Sequence, residues 1–241
     1  MVSIQHVNSE TGIIQDLPAM AAIIKRANPK TVFHSDGVQA FTKLPIDLKK
    51  TGIDLYSISA HKFHGIKGAG ALILSRQLNL VPILQGGNQE NGLRSGTENV
   101  AAIAAMGQAA KIACQSVEGS NKKVADFSEW FKNQLKENIP EIDIFEPENK
   151  VPHIINFSLP GIPGEVLLHH LANKQIYIST GSACNANSKK MSGAYKELGF
   201  TPQKILETVR LSLSHREIPE DKEELLGTFL EVVRELQAMN R

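Results

Sequence analysis

The sequence predicts an α/β protein: a parallel-sheet domain over residues 1–115, followed by a small α+β domain over residues 116–241. Three observations predict it. A strand-like run, an amphipathic run and a second strand-like run open the chain, and this order makes a parallel βαβ unit. Two extended apolar segments, Thr31-Val32-Phe33 and Ile53-Asp54-Leu55-Tyr56, lead straight into polar clusters. From Pro140 onward the elements become short and mixed.

In chain order, Val2 to Asn8 reads as a strand, and Asn8-Ser9-Glu10-Thr11-Gly12 as a polar loop at its end. Asp16 is placed to cap a helix with Pro18 in its first turn and an apolar stripe of Leu17, Met20, Ile23, Ile24 and Ala27. Asn28-Pro29 stops it, and the strand that ends at Asp36 follows. Short helical turns over residues 40–52 connect to the strand before Lys62. Gly65 to Gly70 lacks the spacing of a phosphate loop and leads into a strand, Ala69 to Leu74, so it predicts a tight hairpin-like turn.

Residues 85–97 are long, polar and Gly-rich between ordered segments, a pattern typical of functional loops. Thr97 is placed to cap a helix whose stripe is Val100, Ile103, Ala104, Gly107 and Ala110; Cys114, near its far end, is expected to be a small buried apolar residue. Glu118-Gly119-Ser120 is expected to interrupt the helical pattern before a second helix with Val124, Phe127, Phe131 and Leu135. In the second domain, strands are predicted at His153–Leu159, Gln175–Ser179 and Val209–Ser214, with helices over Glu165–Ala172 and from Pro202 through Thr208. The last helix starts among Pro219, Glu220, Asp221, Glu223 and Glu224, where acidic side chains meet the positive end of the helix dipole.

Composition narrows the chemistry. A chain of 241 residues with 41% apolar and 21% charged residues can bury a core. Its formal net charge of +1 argues against nucleic acid as the main partner. Two cysteines, Cys114 and Cys184, make no disulfide framework and fit a reducing, cytoplasmic setting. No basic leader and no apolar run of membrane-spanning length is visible, so no membrane association is expected. His61 and His64 are close, but no second pair has zinc-ligand spacing, so no metal is expected; His169 and His170 lie within a helix.

The chain is organised around Ser57-Ile58-Ser59-Ala60-His61-Lys62-Phe63-His64-Gly65. A lysine at a strand end beside hydroxyls and a histidine is placed to form a Schiff base. Asp36, in His34-Ser35-Asp36-Gly37-Val38-Gln39, also follows a strand. Ligands of open α/β sheets bind outside the carboxyl ends of parallel strands, so the two side chains can face one crevice. Pyridoxal phosphate asks for this pair, an amine for its aldehyde and a carboxylate for its pyridine nitrogen. A strand-end Asp is more often a helix cap, and most lysines are solvated, so the neighbours carry the reading. The segment Ser179 to Lys190 is almost all small or polar and holds Cys184. An exposed thiol there, with Lys189 and Lys190 favouring the anion, is either a nucleophile or an inert linker cysteine.

Taken together, the chain resembles the cysteine desulfurases of the NifS/IscS type, within the class V aminotransferase superfamily. The resemblance is carried by His6-Val7-Asn8 with Glu10, His34 to Gln39, Ser57 to Gly65, Gly92-Leu93-Arg94-Ser95-Gly96-Thr97, and Ser182-Ala183-Cys184 ahead of Arg210-Leu211-Ser212. It implies an aspartate aminotransferase-like fold, with 1–115 the remainder of the large pyridoxal-phosphate domain and 116–241 the small domain carrying the cysteine loop.

The resemblance implies roles residue by residue. Lys62 would hold pyridoxal 5'-phosphate as a Schiff base, Asp36 would pair with its ring nitrogen and Gln39 with its ring hydroxyl. Ser59 and His61 would bind the phosphate, and Thr97 the phosphate of the other subunit of a homodimer. Asn8 would contact cofactor or substrate, and Arg210 the carboxylate of L-cysteine. Cys184 would take the sulfur as a persulfide, leaving L-alanine, and pass it to an acceptor protein in iron–sulfur cluster assembly or tRNA thiolation.

Departures from the family pattern are Ile66, His64 and Asn88, and the lack of the family's early phosphate-binding loop and ring-stacking histidine. These imply weak cofactor binding and poor turnover by this chain alone. A non-catalytic fragment, or half of a split enzyme pairing with another chain, is the alternative of a different class. Selenocysteine lyase, or another class V aminotransferase or lyase, is the enzymatic alternative.

Overall fold

The computed structural model describes residues 1–74, 78–115, 117–181, 192–214 and 218–239. The chain forms two compact units. One comprises Met1–Val7 and Gln15–Val117, the other Asn8–Ile14 and Glu118–Arg241.

The first unit opens with β1 (Val2–Gln5), α1 (Leu17–Ala27) and β2 (Phe33–Asp36). Asp16 caps α1 through the Ala19 N–H at 3.0 Å, and Leu17 and Ala21 are its buried residues. Ile23, expected in the stripe, is 59% exposed, because α1 meets the sheet through a narrower face. Next come the single turn α2 (Leu48–Thr51), capped by Asp47, and β3 (Leu55–Ser59). A 3-10 turn, Ala60–Phe63, and the hairpin strand β4 (Gly70–Leu74) follow.

The sheet order is β1-β2-β3-β4; β1, β2 and β3 are parallel and β4 is antiparallel to β3. Side chains alternate across it. Phe33, Tyr56 and Ile58 turn to one face and join Leu17, Ile53, Ala60 and Phe63 in the unit's core. Asp36 pairs in register with Ser57, so His34, Asp36, Ser57 and Ser59 share the opposite face.

The helix α3 (Val100–Gln115) begins three residues after Thr97. Its cap is Asn99, whose Oδ1 accepts from the Ala102 N–H at 3.1 Å; Thr97 does not hold that place. The stripe also differs from expectation. Met106, Ala109, Ala110 and Ala113 pack on the core, because alanines let a helix approach closely, while Val100 and Ile103 are exposed. Cys114, expected to be buried, is exposed, on a side of α3 turned away from that core.

In the second unit, α4 (Val117–Asn138) runs through Glu118-Gly119-Ser120 without the expected interruption. One glycine costs a helix only about 1 kcal/mol, and Val124, Phe127, Phe131 and Leu135 anchor the following turns in the core. A three-stranded antiparallel sheet, ordered β5 (Asp143–Ile144), β6 (Ile154–Ser158), β7 (Thr208–Ser212), packs on α4, α5 (Gly164–Asn173) and α8 (Lys222–Met239). Two short helices, α6 (Gly193–Glu197) and α7 (Pro202–Glu207), lie between α5 and β7 in the chain. Gln175–Ser179 is not a strand: only Ser179 bridges β7, at Arg210, since Gln175 has φ 63° and breaks the extended run.

The segment Asn8–Ile14 belongs with the second unit, not with residues 1–115 as the sequence suggested. Backbone bonds account for it: Ile13 bridges Lys150, and the Gly12 carbonyl accepts from the Val151 N–H at 2.9 Å. Among the described residues no single helix is long and apolar enough to cross a membrane, and no group of three His, Cys, Asp or Glu is placed to hold a metal ion.

Candidate active site

In the first unit, Asp36 ends β2 and Lys62 lies in the 3-10 turn that ends β3, so both stand at the carboxyl ends of adjacent parallel strands. The Asp36 carboxylate accepts from the Val38 N–H at 2.9 Å, an Asx-type turn that fixes its orientation. Gly37 is required beside it, because a Cβ there would lie 2.0 Å from the Tyr56 ring. Burial, with the Asp36 charge adding to it, pushes the Tyr56 hydroxyl well above the usual tyrosine range. That hydroxyl lies 2.9 Å from His6 Nδ1, and burial lowers the pKa of His6.

On the same sheet face, Ser59 Oγ lies 2.8 Å from His61 Nδ1. Gln39 is half-buried on the turn after Asp36 and accepts from Lys43 Nζ at 3.4 Å. Lys43 is pushed down to about 8, first by burial and then by the charge of Lys62, so the two amines are electrostatic neighbours. The structure thus brings Asp36, Gln39, Ser59, His61 and Lys62 to one end of one sheet. Thr97 is exposed ahead of α3.

Sequence reasoning missed two members. His34 spans three strands, with Nδ1 2.7 Å from Ser3 Oγ and Nε2 3.2 Å from Ser57 Oγ. Its place two residues before Asp36 was the available signal, since period 2 puts both on one face. Lys43 lies four residues beyond Gln39, at the end of the same turn, which was the signal for it.

The second unit carries Asn8 and Arg210, the two residues the sequence resemblance assigns to substrate. Asn8 Oδ1 accepts from the N–H groups of Glu10 at 2.9 Å and Thr11 at 2.8 Å. Arg210, 9% exposed on β7, donates from Nη1 to the Ser9 carbonyl at 2.7 Å. Asn8 and Arg210 are therefore brought together through one turn. The Glu10 carboxylate accepts from Ser192 Oγ, the cap of α6. Cys184, Lys189 and Lys190 lie outside the described residues.

A sheet whose parallel strands carry an amine and a carboxylate at adjoining ends, together with an α+β unit, is the pyridoxal-phosphate transferase fold of the aspartate aminotransferase-like kind, as its solved relatives show. The chain belongs to the class-V aminotransferase family, whose pattern matches residues 1–225. It is 36% identical over 238 residues to a cysteine desulfurase of Sinorhizobium fredii, covering 98% of this chain and 61% of that protein. It is 32% identical over 241 residues to the cysteine desulfurase IscS of Dictyoglomus turgidum, covering 100% of this chain and 61% of that one. A solved NifS-like protein superposes with a TM-score of 0.88 at 31% identity, over 98% of this chain and 61% of that one. The chain thus spans about three fifths of the length of the relatives it matches.

Pyridoxal 5'-phosphate is the cofactor of these enzymes. The residues of the first unit fit it. An amine and an oriented carboxylate stand on adjoining strand ends, the Ser59–His61 pair offers polar groups for a phosphate, and glycine at position 37 leaves the turn beside Asp36 without a side chain.

Proposed function

We propose that the chain forms most of a pyridoxal-phosphate-dependent cysteine desulfurase, which converts L-cysteine to L-alanine and moves the sulfur to Cys184. The observation that carries the reading is the placing of Asp36 and Lys62 at the ends of neighbouring parallel strands. Lys62 holds the cofactor through its amine, and the Asp36 carboxylate keeps a proton on the pyridine nitrogen. Gln39 donates to the ring hydroxyl, while Ser59 and His61 bind the phosphate. Thr97 reaches the phosphate of a second subunit in a homodimer. The bound cofactor supplies an electron sink for the charge left when substrate loses its α-proton.

Arg210 and Asn8 bind the substrate. A guanidinium presents a planar fork of N–H donors that matches a carboxylate two-to-two, which suits Arg210 to that task. The Cys184 thiolate attacks the substrate sulfur, an S–S bond forms and the C–S bond breaks. The carbon takes up a proton to give alanine, and a persulfide remains on Cys184. Its sulfur passes to an acceptor protein of iron–sulfur cluster assembly or tRNA thiolation in a reducing cytoplasmic compartment.

Borohydride trapping after addition of pyridoxal phosphate tests the cofactor half. Peptide mass spectrometry should find the pyridoxyl group on Lys62 and lose it in Lys62→Ala. Lys43, pushed down to about 8, is the competing amine, and label on Lys43 with Lys62 bare would overturn the assignment. For the sulfur half, Cys184→Ala should abolish sulfur transfer from L-cysteine. Transfer that survives it favours selenocysteine lyase or another class V lyase.

A further inference from the structure

The turn that carries Asn8 is gripped from below by side chains that no role at the cofactor or substrate explains. Asn156 is wholly buried in the middle of β6, directly opposite Arg210 on β7. Its Nδ2 donates to the Glu10 carbonyl at 2.8 Å and to the Tyr195 hydroxyl at 2.7 Å. The Tyr195 hydroxyl donates in turn to the same Glu10 carbonyl at 3.2 Å. Asn156 Oδ1 accepts from Lys150 Nζ at 2.8 Å, which fixes which end of the amide faces the turn. The neighbouring carbonyl, of Ser9, is held by Arg210.

From above, the Glu10 and Thr11 N–H groups are taken by the Asn8 side-chain oxygen. Two consecutive peptide units are thus held at their carbonyls by the sheet and at their N–H groups by Asn8. The oxygen of Asn8 is committed inside the turn, so its amide nitrogen is the group left to offer a ligand.

We infer that Asn156 and Tyr195 are positioning residues: they set the turn from which Asn8 works, and they do so beside Arg210, so that the two substrate-side groups keep a fixed spacing. The inference rests on the proposed role of Asn8 and Arg210 toward substrate. Asn156 is polar and wholly buried, and a buried polar side chain is kept only when its partners are satisfied. Here the partners are the turn.

Asn156→Leu and Tyr195→Phe in the full chain test it. Hydrogen exchange read by mass spectrometry should quicken about tenfold at the Glu10 and Thr11 amides in each variant, the effect of one lost buried hydrogen bond. Amides of α5 and α8 should keep their wild-type rates. In cofactor-loaded protein, KM for L-cysteine should rise by a similar factor while kcat changes less than about twofold, the mark of lost substrate binding and not of lost chemistry.

Unchanged exchange at Glu10 and Thr11 in Tyr195→Phe overturns the inference, even if Asn156→Leu fails to fold. So does equal quickening throughout the second unit, which would mean a packing role alone. Borohydride label on Lys43 with Lys62 bare, with the local exchange effect intact, overturns the proposed function and leaves the positioning of the turn standing.

Discussion

Thr42 sits in the left-handed region, at φ 64°, on the turn between Gln39 and Lys43. A β-branched residue is strained there, and the turn keeps it because Ala40 and Phe41 are tied back to the Gly37 carbonyl. Thr42→Gly should therefore raise stability by about 1 kcal/mol after the entropic cost of glycine, while Thr42→Ala, which keeps a Cβ, should not. The midpoint of urea unfolding reads the difference. At this scale the sequence was informative where chemistry and position coincided: Lys62 and Asp36 stood out because each followed an apolar run. It was silent on Asn156 and Tyr195, because an asparagine inside a strand and a tyrosine in a short helix carry no spacing that points to a turn 146 and 185 residues away.

Between elements, Asp54 joins three parts of the first unit. Its carboxylate is 5% exposed and accepts from Lys25 Nζ at 2.6 Å and from the Phe33 N–H at 2.8 Å. One residue thereby ties the end of α1 and the start of β2 to the lead-in of β3. Asp54→Ala leaves the Phe33 N–H buried without its partner and Lys25 with the Thr31 carbonyl in place of a carboxylate, and should cost about 3 kcal/mol. Lys25→Met should cost less, since the Phe33 bond survives. Equal losses in chemical denaturation would refute this ranking.

The strand–helix–strand opening and the hairpin into β4 were legible because period and turn residues agreed. The run Gln175–Ser179 was not, because its apolar alternation imitates a strand while a left-handed residue at its head prevents one. Nor was the face of α3, where alanines and bulkier residues alternate so evenly that packing alone decides.

Across the molecule, pH acts through buried amines. Burial, then the Lys132 charge, pushes Lys150 down to about 7, with Glu146 opposing. An unfolded lysine titrates near 10.4. Below about 7 both states carry the proton and the whole penalty of burying the charge is present. Between about 7 and 10 the unfolded chain holds a proton that the folded one has released, so stability rises with pH. Lys150→Met should remove that rise, so the gap between variant and wild-type unfolding midpoints should change with pH over this window. A gap independent of pH would refute it. Lys43, pushed down to about 8, adds a rise of the same sign from the first unit.

The seven residues Asn8–Ile14 leave β1, complete the second unit and return to α1, so three peptide links, not one, join the units. Anyone dissecting the protein at the helix junction near residue 117 would carry off a second half with a hole in it. The amide of Asn156 and the guanidinium of Arg210 would face the gap where a loop from the far end of the chain had been. Severing the gene there would not isolate a module, and a short synthetic peptide would be needed to make that half whole.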